Sequence, residues 1–452
     1  MYRLVVCLIV WMLCLGVAVG SVAQAASKAQ RPNVIIILAD DLGYGDLACY
    51  GNMVNQTPHL DQLAREGLRF TDFHTNGPMC SPTRVSLLTG LYQNRFGRPF
   101  ERALSAQTPE IGLPDTVYSM PKMFKESGYA TAMYGKWHLG YQAPSLPNYF
   151  GFDDFRGLLT GGGDHISHIN RSGELDWFHN EQKQMEEGYS VDLITDHSID
   201  FMKKHKEEPF FLYVSHLAIH FPWQAPGEKA HRKEGGDYWN LTKLGPHPEG
   251  ENGPVVRAMV ESLDAGVGRI MAALRELDLD DNTLVFFTSD NGGYTDYDGM
   301  FSGEISSNAP FRGKKTQVWE GGHRVPAIAW WPKNIQAGAE SDAVLMTMDM
   351  LPTFAEMLGR TLPGAVDGRS VESLFFEQGE GPERAVFWRM DTQLAVRRGP
   401  WKLVVTAAGR QLFNLDDDVS ESNDLAAVHP HLVRVLSEML SAWEAEMDVG
   451  LK

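Results

Sequence analysis

Cysteine is scarce in this chain: four in 452 residues, two of which, Cys7 and Cys14, lie in an apolar N-terminal run. That excludes a small domain held together by a disulfide framework. Cationic side chains are also in deficit, 40 Lys and Arg against 58 Asp and Glu, for a net charge of −18. A nonspecific grip on nucleic acid or on an anionic membrane is therefore not the expected activity, and an anionic substrate must be captured by local cations. Beyond the N-terminus no run is long and apolar enough to span a bilayer, and no repeat of 20 to 50 residues or low-complexity block occurs. What remains, 43% apolar and 22% charged residues with 44 Gly and 24 Pro, describes a folded globular chain with long loops, large enough for two or three domains.

Residues 1–25 carry Arg3, an apolar run from Leu4 to Val19, and Ala23-Gln24-Ala25. Charge, apolar stretch and small-residue site are the pattern of a secretory signal, with cleavage expected after Ala25 and a secreted or periplasmic mature protein. Loss of Arg3, the only charged side chain in the segment, takes the charge from −18 to −19 and leaves Cys49 and Cys80, between which one bridge is formally open.

Val34 to Ala39, Phe210 to Val214 and Leu284 to Thr288 are short continuous apolar runs, as expected of strands buried on both faces of a mainly parallel sheet. Amphipathic helices separate them. One opens with Thr57 as N-cap and Pro58, shows Leu60, Leu63 and Ala64, and stops at Gly67; another runs from about Val255 to Leu274 with Met259, Leu263, Val267 and Ile270 on one face,. The last quarter differs. Ala385–Trp388, Leu394–Val396 and Trp401–Val405 are close-spaced strand candidates without intervening helices, followed by a helix after Pro430,. The expected class is α/β: a large mainly parallel or mixed central sheet flanked by helices, with a smaller C-terminal subdomain of antiparallel sheet and terminal helix. The divisions are 1–25, 26–360 and 361–452.

Three constellations carry chemistry. Asp40-Asp41 follows one buried run and Asp290-Asn291-Gly292-Gly293 follows another. Both sit at carboxyl ends of expected strands, the edge at which open α/β sheets bind ligands. Adjacent carboxylates repel unless a cation offsets them, and oxygen-only ligation by Asp and Asn suits a hard divalent ion, Ca2+ better than Mg2+. Either motif alone reads as a polar loop start; their matched placement favours metal. The third is Cys80-Ser81-Pro82-Thr83-Arg84 before Val85 to Gly90, a turn feeding a short helix. A helix N-terminus and a guanidinium both lower a thiol's pKa and attract anions, although a lone Cys is by default a buried inert one.

Cys80-Ser81-Pro82-Thr83-Arg84 with Thr89-Gly90 resembles the C-x-P-S/T-R…TG element of the sulfatase family. Asp40-Asp41-Leu42-Gly43-Tyr44-Gly45-Asp46, Tyr134 to Gly140, Ser289 to Gly293, Glu320 to Pro326, and Trp401-Lys402-Leu403 with Leu412 to Leu415 occur in that family's order. The resemblance extends over nearly the whole mature chain. It implies oxidation of Cys80 to Cα-formylglycine by a formylglycine-generating enzyme. The aldehyde hydrate attacks sulfur, the alcohol leaves, and the second hydroxyl then expels sulfate, which splits one difficult step into two. It further implies Ca2+ on Asp40, Asp41, Asp290 and Asn291, with Arg84 holding the hydrate. Lys136 and His138, expected on one side of an extended segment, would contact sulfate oxygens and the diol. His220, with His216 as the alternative, would be the acid for the leaving alcohol, and Lys315 rather than Lys314 would bind sulfate.

The family often has a polar side chain near Leu159 to His165, but the glycine run here offers no counterpart. His165, His168, Trp177 and Trp223 are candidates for a sugar-sized pocket or simply packing groups. The expected partner is a sulfated carbohydrate, a sulfated hexosamine or galactose, or a small sulfate ester; oligomeric state is open. A phosphodiesterase or phosphonate monoester hydrolase of the same superfamily is the nearest rival. A catalytically silent binding protein would lack a nucleophile or metal position, and none is lacking. Asn55, Asn170 and Asn240 head N-x-S/T triplets whose use depends on the host.

Overall fold

The computed structural model describes residues 31–239, 252–296, 305–377 and 379–451; the 1–25 segment and the triplet at 240–242 lie outside them. Ten strands make the main sheet: β1 (Asn33–Ala39), β2 (Leu68–Phe70), β4 (Ala130–Gly135), β5 (Asp154–Gly157), β6 (Phe178–His179), β7 (Gln182–Lys183), β8 (Phe210–Ser215), β9 (Thr283–Ser289), β10 (Ala327–Trp330) and β11 (Ala339–Ser341), in the order β11-β2-β10-β9-β1-β8-β4-β5-β6-β7. The centre, β9-β1-β8-β4-β5, is parallel, while β10 runs antiparallel to β9 and to β2. β3 (Phe73–His74) and β12 (Leu345–Met346) form a separate pair.

The three apolar runs are the three middle strands. Ile35, Ile37 and Ala39 of β1 enter one core layer and Val34, Ile36 and Leu38 the other. A strand covered on both faces must be apolar at every position, hence the continuous runs. One layer takes α1 (Pro58–Glu66), α4 (Ser190–Lys204) and α5 (Asn252–Glu276); the other takes α2 (Cys80–Thr89), α3 (Met120–Glu126) and α6 (Met350–Met357). The expected helix faces are the buried ones: Leu60, Leu63 and Ala64 on α1, and Met259, Leu263, Val267 and Ile270 on α5. Thr57 does not cap α1 through its side chain; its Oγ1 accepts the Ala48 N–H instead.

A second sheet, β13 (Ala385–Met390), β14 (Gln393–Arg398), β15 (Trp401–Thr406) and β16 (Gly409–Asn414), is antiparallel in chain order. It packs against α7 (Pro430–Asp448) through Leu436, Leu440, Trp443 and Met447. Its fourth strand was not among the sequence candidates: Gly-Arg-Gln opens it with exposed or half-exposed positions. Before β13, Phe375 is still packed against Phe70 and Phe286 of the main core. Trp388 Nε1 donates to Thr75 O at 2.8 Å and ties the second sheet to the segment that follows β3.

Candidate active site

The carboxyl ends of four adjacent parallel strands deliver the motif residues to one edge. β9 presents Asp290 and Asn291, β1 Asp40 and Asp41, β8 the segment to His220, and β4 Lys136 and His138. The register pairs Ala39 with Ser289, so Asp40 and Asp290 are neighbours although 250 residues separate them. Strand pairing thus supplies the convergence that the two motifs required.

Asp40, Asp41 and Asp290 offer carboxylate oxygens within 4.8 Å of one another. Three cations meet them. Arg84 donates through Nε and Nη2 to Asp290 Oδ2 at 3.0 and 2.7 Å, and through Nη1 to Lys136 O and Ser215 Oγ. Lys136 Nζ lies 2.6 Å from Asp40 Oδ2, and Lys315 Nζ 2.5 Å from Asp41 Oδ1. Asn291 Nδ2 donates to Asp41 Oδ1 at 2.8 Å. Burial, reinforced by the Asp290 charge, pushes the Asp40 carboxyl up to about 8, whereas Arg84, Lys136 and Lys315 outweigh burial and hold Asp290 below the usual range.

Cys80, 1% exposed, begins α2, with Lys315 Nζ 3.5 Å from its sulfur. The thiol is not the activated one expected from a helix N-terminus beside Arg84. Burial raises its pKa, Lys136 and Lys315 only partly offset this, and the guanidinium is engaged by Asp290.

The sulfur opens into a cavity of about 330 Å3 whose wall includes Leu104, His138, Gly161, Gly162, Asn170, His220 and Lys315. His138 Nε2 donates to Leu104 O at 3.0 Å, which leaves Nδ1 as an acceptor without a protein partner. His220 Nδ1 must donate to Phe221 O, 2.6 Å away, which leaves Nε2, 3.9 Å from Asp41 Oδ2, as the ring nitrogen free of a backbone partner,. Burial and the nearby Lys136 and Lys315 charges push both imidazoles well below their ordinary pKa. His216 is fully buried away from this wall, and burial lowers it to about 3.

A family model described as Sulfatase matches residues 32–360. The chain belongs to the sulfatase family. It is 34% identical to the N-acetylgalactosamine-6-sulfatase of Canis lupus familiaris over 84% of this chain and 72% of that one, and 31% identical to Arylsulfatase A of Homo sapiens over 92% and 84%. Among solved structures, that of Ps i-CgsB has a TM-score of 0.81 at 29% identity, covering 92% of this chain and 93% of that one. This sulfatase is accordingly a hydrolase of sulfate esters, with the large mixed sheet and separate four-stranded sheet of that fold.

Several expectations for this sulfatase change on the structure. Lys136 and His138 do not share an extended segment: Lys136 follows directly on β4, whereas His138 has φ 59°, so the chain turns left-handed there. His165, His168, Trp177 and Trp223 do not line the cavity. His165 bonds to Ser190 Oγ and His220 O, and His168 stacks on Trp177. Lys314 pairs with Asp296, away from the sulfur. Cys49 and Cys80 are both free thiols. Asn170 is a wall residue 7% exposed, its Oδ1 holding the Ser172 and Glu174 N–H groups, a poor glycan acceptor.

The glycine run has a role that the sequence did not disclose. A Cβ on Gly161 would stand 2.6 Å from the His138 ring and one on Gly162 2.8 Å from the His220 ring. The run supplies close approach to two imidazoles where the family often has a polar side chain. The signal was visible as three consecutive glycines; its meaning lay in residues 23 and 58 positions away.

Proposed function

We propose that the protein is exported and acts as a formylglycine- and Ca2+-dependent sulfatase on carbohydrate sulfate esters such as a sulfated hexosamine or galactose. The observation that carries this is the Cys80 sulfur at the cavity floor, beside Lys315 and adjoining three converging carboxylates. A likeness to Ps i-CgsB, whose structure is known in complex with k-i-k-neocarrahexaose, supports the carbohydrate class.

The residues present fit a hard divalent ion. Asp40 Oδ1 and Asn291 Oδ1 are buried oxygens without a hydrogen-bond partner, and the donor set is oxygen only,. Asp40, Asp41, Asp290 and Asn291 would hold it, and when bound it would stabilise charge on sulfuryl oxygens. Formylglycine at position 80, made by a formylglycine-generating enzyme, would supply a hydrated aldehyde able to attack sulfur and then release sulfate. Lys136 and Lys315 orient the anionic group; Arg84, which the resemblance gives as the holder of the hydrate, is instead bonded to Asp290, Lys136 O and Ser215 Oγ and fixes the segment bearing residue 80. His138 Nδ1 accepts a hydroxyl proton. His220 Nε2 takes a proton from solvent once the bound anion offsets the two lysines, and gives it to the leaving oxygen.

The test is the mass of the tryptic peptide Phe70–Arg84 from a host with the formylglycine-generating machinery. A peptide lighter than its Cys form and reactive with a hydrazide supports the reading; an unmodified thiol refutes it. The Cys80→Ser protein should fold and show no catalytic turnover.

A further inference from the structure

Thr316 is a β-branched residue at φ 76°, in the left-handed region that such residues avoid,. Backbone strain of this kind persists only where the surroundings enforce it. Here three loops do so. The Thr316 N–H donates to Pro78 O at 2.8 Å, two residues before Cys80; the preceding Lys315 N–H donates to Gly293 O at 3.2 Å; and Gln393 Nε2 donates to Thr316 O at 3.1 Å. The first bond ties the Lys315 loop to the residue-80 segment, the second ties it to the Asp290 loop, and the third comes from the second sheet.

Gln393 opens β14 directly after the two-residue Asp391-Thr392 turn, so the hairpin tip reaches the cavity wall. The same hairpin grips the opposite wall. Asp391 pairs with Arg102, and Arg389 Nε donates to Glu101 Oε1 at 2.8 Å, beside Leu104, whose carbonyl receives His138 Nε2. The hairpin therefore contacts both the Lys315 loop and the segment that leads to Leu104.

We propose that the β13–β14 hairpin is a positioning element of the active site, with Gln393 acting through Thr316 O to hold Lys315 Nζ against residue 80. The proposal rests on the assignment of Lys315 given above. Gln393 is a positioning residue, not a catalytic one, since it touches backbone alone.

The experiment compares Gln393→Glu, Thr316→Gly and Lys315→Met in the full-length matured enzyme, with kcat, KM for 4-nitrophenyl sulfate and melting temperature. Gln393→Glu keeps shape and loses the donor; Thr316→Gly relieves the strained φ. Misplacement of a reacting group by 1 Å costs up to about 100-fold, so a partial release should lower kcat by about tenfold. The expected result is that fall in both variants, with KM changed less than twofold and the Thr316→Gly melting temperature unchanged or higher. A purely structural role would lower melting temperature and activity together and would overturn the proposal. So would wild-type kcat in both variants while Lys315→Met is inactive. Full turnover by Lys315→Met would instead refute the assignment of Lys315 itself.

Discussion

Lys402 is 0% exposed and has no water to fall back on. Its Nζ lies 2.8 Å from Glu320 Oε1, 2.9 Å from Glu421 Oε1 and 3.2 Å from His323 Nε2, at the junction of the two sheets. Against the cost of burial, Lys402 holds the Glu320 carboxyl well below its usual range, with His74 and Arg397 contributing. One lysine cannot serve two carboxylates equally. Glu421, with fewer other cations, is pushed by burial up to about 7 despite Lys402. Lys402→Met keeps the stem's packing and removes the charge, leaving two buried carboxylates face to face. Breaking a buried pair from one side costs about 3–5 kcal/mol, read as a drop of several degrees in a thermal melt. Glu421 can relieve this by taking a proton, so the deficit should be larger at pH 8 than at pH 6. Lys402→Met/Glu421→Gln, which removes one carboxylate yet keeps an acceptor for the Glu320 N–H now bonded to Glu421 Oε2 at 2.8 Å, should recover most of the loss. A Lys402→Met protein that melts with wild type, or a double variant no better than the single one at pH 8, would refute the reasoning.

Asp290→Ala removes a carboxylate of the cluster and the partner of Arg84; turnover and its dependence on added Ca2+ should vanish together, and wild-type turnover that survives thorough Ca2+ removal would sink the metal assignment. Gly162→Ala places a methyl against the His220 ring, so kcat should fall more for a sugar sulfate than for 4-nitrophenyl sulfate, whose leaving group needs less acid assistance; equal losses would count against His220 as the acid. His216 and His168, lowered by burial from 6.5 to about 3 and about 4, take up protons in the unfolded state first. Their contribution is complete above about 6.5 and is lost as pH falls, by about 2 kcal/mol each at pH 5. The wild-type urea midpoint should fall more between pH 7.5 and pH 5 than that of His216→Phe, and an equal fall in both would refute the buried neutral His216.

The middle of the fold was legible because each strand there is covered on both faces, which forces the unbroken apolar runs of β1, β8 and β9. The site motifs were legible for a related reason: Asp40 and Asp290 each stand one residue beyond the strand that such a run forms, and parallel register fixes their neighbourhood. What was not legible depends on contacts that no local pattern encodes. The turn at His138 follows from its docking on Leu104, not from its neighbours in sequence. Gly161 and Gly162 read as a gap in a motif until the imidazoles they touch are known. The thiol of Cys80 looked activated by the nearest charge, yet burial won once Arg84 was claimed by Asp290.

The charge balance at the cavity floor explains how so acidic a chain can hold an anion. Arg84, Lys136 and Lys315 face Asp40, Asp41 and Asp290, so the six formal charges cancel, and none of the six is more than 5% exposed. Cancellation alone would leave no net field for a sulfate ester. Burial, with the Asp290 charge, raises the Asp40 pKa even with Lys136 at 2.6 Å, so this carboxyl is the member of the six most readily neutralised. A divalent cation held by Asp40, Asp41, Asp290 and Asn291 would stabilise ionised Asp40 and make the floor, where Lys136 and Lys315 stand, net positive. Capture then depends on a local field a few ångströms deep, because beyond about 10 Å ordinary salt screens the −18 of the whole chain,. On this argument substrate affinity should respond to Lys136→Ala and Lys315→Ala far more than to neutralising exposed acids such as Glu207 or Glu383, and a surface charge that moved KM as much as either lysine would contradict it.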